Sequence, residues 1–188
     1  MVIERVQKMS VEEFLDFAER SEERYEYIDG ELYQMTSTKY NHNVITYNLA
    51  LGLGILLTDT DCQVLLGQGV GAGAARFLIP DVGVVCGEPQ TEFDTRILLN
   101  PILVVEVTSP SSMDHDRVVK RDFYQSVDSI QAYLIVDQHR MLVELYGRSE
   151  TGWHLQTFSQ PDEQIPLEAL DCRLPLHDIY QRIEFGDA

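Results

Sequence analysis

Two carboxylates stand where carboxylates are costly. Asp81 lies in FLIPDVGVV and Glu106 in ILVVEVTSP, each the single charged residue of an apolar run with the β-branched content of a buried strand. Burial strips an ionised carboxylate of hydration, and only close partners or a cation offset the loss. If the two strands are neighbours, the pair can share magnesium or manganese, hard ions that prefer oxygen ligands. The pattern alone equally allows each carboxylate to sit at a strand end, pairing with an arginine or capping a loop. Asp116, Lys120 and Tyr124 recur at i, i+4 and i+8, one face of a helix. There, Asp116 and Lys120 could simply form an exposed ion pair worth a few tenths of a kcal/mol. Glu26 alternates with the tyrosines and isoleucine of YEYI, so its facing stays open. His42 opens an apolar helical stretch, where capping, a core hydrogen bond and a place in a site are all possible.

Other patterns lead away from chemistry. GQGVGAGA has the spacing of a phosphate loop but runs into the strand-like ARFLIPD, so the helix N-terminus that would hold phosphate is missing. It reads as a hairpin connection. His115-Asp116 and His177-Asp178 match the dipeptide of metal phosphohydrolases, yet those need an all-helical frame and further histidines, which five histidines on a β-rich chain do not fit. Ser109, Ser111 and Ser112 flank Pro110 in a turn without a GxSxG elbow. Cys62, Cys86 and Cys172 are far apart and include no CxxC, which argues against a disulfide framework or a thiolate zinc site and implies reduced, mostly buried thiols.

The elements that must position these groups follow from periodicity. Ser10 and Glu13 form a capping-box pattern ahead of Val11, Phe14, Leu15 and Ala18, predicting a helix over 10–20 that covers a sheet edge. Asp29-Gly30 separates two β-rich runs and predicts a hairpin, with strands near 25–28 and 31–36. Residues 41–57 predict a buried helix with Val44, Tyr47, Leu51 and Ile55 in register, although Gly52 and Gly54 weaken it. Two β-rich runs around a glycine-rich connection, then PILVVEV, predict the central strands, with 79–86 beside 102–108. A polar amphipathic helix over 114–126 precedes AYLIVD and MLVELYG; strand, helix, strand in that order implies a parallel crossover. GWHLQTFS predicts a further edge strand, and IPLEALDCRLPLHDIY a short capping segment.

At 188 residues and 44% hydrophobic composition, the chain can bury a core as one domain, 1–188. No run is long and apolar enough for a membrane span or a signal peptide, so a cytoplasmic protein without membrane contact is expected. Fourteen basic against 31 acidic residues leave a net charge of −17, which repels nucleic acid unless the few cations are concentrated. Bound metal ions would invert that field locally.

Asp81 of IPD, then 24 residues (82–105), then Glu106 of VVEV is similar to the PD...E signature of the PD-(D/E)XK nuclease superfamily. The chain more specifically resembles the Uma (DUF820-type) family of restriction endonucleases. The matching pieces are RYEYIDGELYQM, the segment around His42, FLIPDVGVV, ILVVEVTSPSS, DRVVKRDFY, and AYLIVD with LVELY, in order over residues 24–146. The resemblance implies an α/β fold, a restriction-endonuclease-like mixed β-sheet flanked by helices with an N-terminal β-hairpin. It also implies Asp81, Glu106 and Val107 as metal ligands for magnesium or manganese, Glu26 as a supporting carboxylate, Lys120 as the catalytic lysine, and His42 at the site. Thr108 departs from the motif, since a standard (D/E)XK pattern has lysine there; this family supplies it from the following helix.

The activity implied is metal-dependent endonucleolytic hydrolysis of phosphodiesters in DNA. One site per chain and two strands per duplex favour a symmetric homodimer. Two alternatives stay open: a silent binding or assembly module of the same fold, favoured by the acidic charge, and a hydrolase of a small phosphate ester, which needs no basic surface.

Overall fold

The computed structural model describes residues 9–23, 25–28, 30–34, 39–71, 76–94, 96–108 and 116–185, with 116 and 117 as backbone only. In chain order it forms α1 (Val11–Arg20), β1 (Tyr25–Ile28), β2 (Glu31–Gln34), α2 (Tyr40–Leu56), β3 (Cys62–Leu66), β4 (Gly69–Gly71), β5 (Arg76–Leu78) and β6 (Val82–Cys86). Then come β7 (Thr91–Glu92), β8 (Ile97–Leu98), β9 (Leu103–Thr108), a π turn (Asp116–Lys120), α3 (Arg121–Ser126), β10 (Ala132–Asp137), β11 (Val143–Ser149) and β12 (Gly152–Phe158). β13 (Gln164–Leu167), β14 (Cys172–Pro175) and α4 (Leu176–Ile179) complete it.

The strands make two six-stranded sheets, ordered β2-β1-β5-β4-β8-β7 and β12-β11-β10-β9-β6-β3, and the small hairpin β13-β14. In the second sheet β6 pairs antiparallel with β9, the neighbours expected from the sequence, although Asp81 lies in the bend ahead of β6 rather than within it; β9 pairs in parallel with β10 through the crossover carrying α3. The mixed α/β architecture expected from the sequence is therefore present. Where the sequence suggests two long runs between 62 and 86, there are four short strands that change sheets. Gly67, at φ 58, ends β3, and Pro80 ends the stretch leading out of β5. β4 and β5 make the hairpin expected for the glycine-rich segment, whose residues 72–75 lie outside the described ones. Gly69 is required there: a Cβ would fall 2.1 Å from the Phe77 ring and 2.7 Å from the Arg96 carbonyl.

Three apolar clusters set the layers. α1, started by the full Ser10–Glu13 capping box, sends Phe14, Leu15 and Val11 against Tyr27, Leu32, Phe77 and Ile97. Those partners come from four strands, so α1 lies across the face of the first sheet rather than along its edge. α2 buries Ile45, Leu49 and Leu53 against Val82, Val84, Leu103, Val105 and Val136 on one face of the second sheet. On its other face Val104, Tyr133, Ile135 and Tyr146 meet Phe123 and Tyr124 of α3, with Ile28, Val70 and Leu78 arriving from the first sheet.

Three further expectations are corrected. The register Val44, Tyr47, Leu51, Ile55 is not the buried one: Tyr47, Leu51 and Ile55 are exposed, because α2 is apolar all round and the sheet takes only its opposite side. Cys62 and Cys86 are not free thiols; they are directly paired residues of β3 and β6, with Cα atoms 3.9 Å apart, and are joined in a disulfide. Spacing in sequence could not reveal a partner that strand register supplies. The C-terminal capping segment contains the β13-β14 hairpin with a 3-10 turn at Glu168–Leu170. For the first hairpin, Asp29 lies outside the described residues, while Gly30 has the positive φ of 91 that such a turn needs.

Candidate active site

The candidate residues converge where the C-terminal ends of β9 and β10 meet the start of β6, the N-terminus of α2 and strand β1. Alternation fixes Glu106: Val105 and Val107 face α2, so Glu106 faces α3 together with Val104. β1 resolves in the same way, with Tyr27 toward α1 and Ile28, hence Glu26, toward α3. Lys120 closes the π turn and reaches between these two carboxylates. Its Nζ lies 2.8 Å from Glu26 Oε1 and 3.1 Å from Glu106 Oε1, and all three side chains are buried.

Tyr124, one turn after Lys120, donates its hydroxyl to the same Glu106 Oε1 at 2.7 Å. The shared face of Lys120 and Tyr124 is thus real, whereas the side chain of Asp116, and His115 with it, lie outside the described residues. Glu26 Oε1 also accepts the Ile79 N–H at 3.3 Å, which ties it to the approach to Asp81. Arg148 of β11 anchors the segment that follows α3 by donating to the carbonyls of Gln125, Val127 and Ile130.

Asp81 belongs to a second, adjacent group. It lies in the bend just ahead of β6, whose first pair with β9 is Val82↔Val105. Its Oδ2 accepts the Val107 N–H at 2.7 Å, leaving Val107 only its carbonyl to offer a metal, and its Oδ1 lies 3.2 Å from His42 Nε2. The other His42 nitrogen is 3.4 Å from Thr46 Oγ1, one turn along α2. The candidate residues therefore fall into two linked sets, Glu26–Lys120–Glu106 and His42–Asp81–Val107.

The burial of two polar groups is not legible in the sequence, although Thr108 stands out as the departure from the motif. Thr108 Oγ1 and Gln138 Oε1 are buried at the same sheet end without a hydrogen-bond partner among the described residues. The two are neighbours, since the Gln138 N–H donates to the Thr108 carbonyl at 3.1 Å. Both are uncharged residues at strand ends, for which sequence carries no signal.

These donors fit a hard divalent cation. The space between Glu26 and Glu106 already takes a positive charge, that of Lys120. The carboxylates do not themselves form a closed cage. Among the described residues, the one trio of His, Cys, Asp or Glu ligand atoms within 4.8 Å of one another is Asp61, Cys62 and Cys86, two of which the disulfide occupies. An open site suits magnesium, which usually retains several waters and takes one or two carboxylates.

Burial first, then the charges of Glu106 and Glu26, push the Tyr124 phenol well above the ordinary tyrosine value, so it stays a neutral donor. The folded state holds this proton more tightly than the unfolded chain. The linked stability is therefore complete below about pH 10 and is lost as pH rises beyond it. Tyr124→Phe should cost about 1–3 kcal/mol at neutral pH by removing a donor from a buried carboxylate. It should also show a smaller alkaline loss than the parent in urea titrations run on either side of that pH. Some loss will remain from Tyr180, which burial also raises. An unchanged alkaline slope would remove Tyr124 from this account.

Comparisons with known proteins agree with this architecture. Residues 11–177 match the family model Uma2, described as "Putative restriction endonuclease". Two relatives from Synechocystis sp. (strain PCC 6803) are "Uncharacterized protein slr1290", 32% identical over 95% of this chain and 94% of that one, and "Uncharacterized protein sll1609", 30% identical over 79% and 85%. A crystal structure from Anabaena variabilis, of "a putative nuclease belonging to DUF820", superposes with a TM-score of 0.77 over 94% of this chain and 99% of that one at 19% identity, a likeness of fold. With a family match running from α1 into α4, this chain belongs to the Uma2 family.

Proposed function

We propose that this protein is a magnesium- or manganese-dependent endonuclease that hydrolyses phosphodiester bonds in DNA and works as a cytoplasmic homodimer. The observation that carries the reading is a buried lysine held between two buried carboxylates, Glu26 and Glu106, with the Asp81 carboxylate fastened to the N–H of Val107, the residue after Glu106. Family membership supports the nuclease class.

Asp81, Glu106 and the Val107 carbonyl would hold the ion. When bound, it would activate water and neutralise charge on the scissile phosphate. Lys120, fixed by Glu26, would aim its ammonium at the attacking water or at the charge that builds on the phosphoryl oxygens. Tyr124 would hold Glu106 in place, and His42 would orient Asp81. A cytoplasm that keeps thiols reduced would open the Cys62–Cys86 bond.

The charge of −17 favours a second reading, a silent module of the same fold or a hydrolase of small phosphate esters. Plasmid DNA, linear DNA, RNA and a phosphate monoester, each incubated with magnesium, manganese or chelator, separate the readings. The expected result is metal-dependent nicking and linearisation of DNA. Monoester turnover without DNA cleavage would establish the ester hydrolase, and inertness toward every substrate the silent module.

A further inference from the structure

α2 has seventeen residues and not one Asp, Glu, Lys or Arg, in a chain that is 24% charged. Ile45, Leu49 and Leu53 face the core and are fully buried. The outward side is apolar as well: Tyr40 is 76% exposed, Tyr47 63%, Leu51 48% and Ile55 66%. A helix apolar all round is ordinarily covered on every side. With Val44, these residues recur at i, i+4, i+7, i+11 and i+15, a straight seam about 22 Å long at 1.5 Å per residue.

Beside the seam runs a groove of about 370 Å³ between Tyr40, Tyr47 and Leu51 on the helix and Gln181–Arg182 of the C-terminal segment. It is held open by Asn48 of α2, whose amide donates to the carbonyls of Ile179 and Gln181 at 3.0 and 2.9 Å. The seam thus offers projecting aromatic side chains and, next to them, a fixed hollow.

We propose that a second copy of this chain covers this face, the two α2 helices packing across a two-fold axis. A two-fold contact needs a patch that suits itself, and a seam with its own adjacent groove does. Charge selects the same occupant. Two copies at −17 each repel over most of their surfaces, and this uncharged helix is where they can approach without burying like charges. The area is sufficient: the outward aromatic and aliphatic residues expose on the order of 500 Å² per copy, so a face-to-face pair with its rim reaches the roughly 1,000 Å² of a specific interface. This deepens the homodimer part of the proposed function by naming its surface, and it rests on the dimer part of that reading rather than on cleavage. Because α2 also carries His42 to Asp81, the contact would build the interface on an element of each site.

Light scattering of the full chain tests it, with plasmid cleavage run on the same samples. The parent protein should show twice the 21.5 kDa of one chain. Tyr47→Glu and Leu51→Glu, each placing two carboxylates at the seam, should weaken self-association by more than about tenfold, as loss of a central anchor does. Both positions are exposed, so circular dichroism and the unfolding midpoint of the diluted variants should match the parent. Leu155→Glu, on the comparably exposed outer face of β12, should leave the mass unchanged. A monomeric parent would overturn the proposal, as would a dimer that survives both seam variants or is split by Leu155→Glu. Vesicles of phosphatidylcholine that carry the monomeric parent upward in a density gradient would show lipid as the occupant and overturn it as well. If the seam variants are monomeric but no preparation cleaves DNA, the surface stands and the nuclease reading falls. If both hold, the monomeric variants should nick plasmid without linearising it.

Discussion

Lys120→Met should cost the protein both its activity and a large part of its stability. Lys120 is 6% exposed, and its ammonium lies 2.8 and 3.1 Å from carboxylate oxygens of Glu26 and Glu106. Its removal leaves two buried carboxylates face to face without that cation, a loss of about 3–5 kcal/mol for a broken buried ion pair. Against a typical total of roughly 5–15 kcal/mol, that is a large fall in the unfolding midpoint. The burial of Lys120 thus removes the alternative of an exposed ion pair, for which the same change would cost a few tenths of a kcal/mol. Turnover should drop about 10²–10³-fold if the ammonium stabilises the transition state. Adding manganese should raise the variant's midpoint more than the parent's, because a cation entering between Glu26 and Glu106 restores the missing charge. Lys120→Arg should recover most of the stability and little of the activity, since a planar guanidinium keeps the charge but not the point geometry. A Lys120→Met protein with the parent's midpoint and cleavage rate would sink both halves of the argument.

The legible parts of the molecule were those where burial and periodicity speak together. A lone carboxylate in an apolar strand marked Asp81 and Glu106, and pairing of β6 with β9 follows from two such strands belonging to one core. The parallel crossover followed from strand, helix, strand order, and the capping box of α1 was explicit in Ser10 and Glu13. What stayed hidden depended on which side of an element met a neighbour. YEYI could have turned Glu26 either way, and only the packing of Tyr27 on α1 decides it. In α2, periodicity found the helix but not its inner side, because a helix apolar all round carries no contrast between faces.

The same limit explains the cysteines and the orphaned oxygens. Cys62 and Cys86 are 24 positions apart, and nothing in their spacing indicates that β3 and β6 align them directly. Thr108 looked like a departure from a motif. Its hydroxyl instead lies buried at the sheet end beside Gln138, without a partner among the described residues. Such positions are defined by strand ends meeting in space, a relation of topology rather than of local pattern.

Asp81→Asn should separate Asp81 the strand fastener from Asp81 the metal ligand. An asparagine side-chain carbonyl can still accept the Val107 N–H that now goes to Oδ2 at 2.7 Å, so the link between the start of β6 and β9 survives. The negative charge does not survive, and a hard cation loses one of its few protein anions. Stability should therefore change by no more than about 1 kcal/mol, in contrast to Lys120→Met. Manganese affinity measured by titration calorimetry should fall at least about tenfold, and plasmid cleavage should fall with it by orders of magnitude. Asp81→Ala gives the complementary result, losing the Val107 contact as well, so its midpoint should drop below that of Asp81→Asn while metal binding is equally poor. Were Asp81 only a strand fastener, Asp81→Asn would bind manganese and cleave like the parent, and the metal would have to be sought between Glu26 and Glu106 instead.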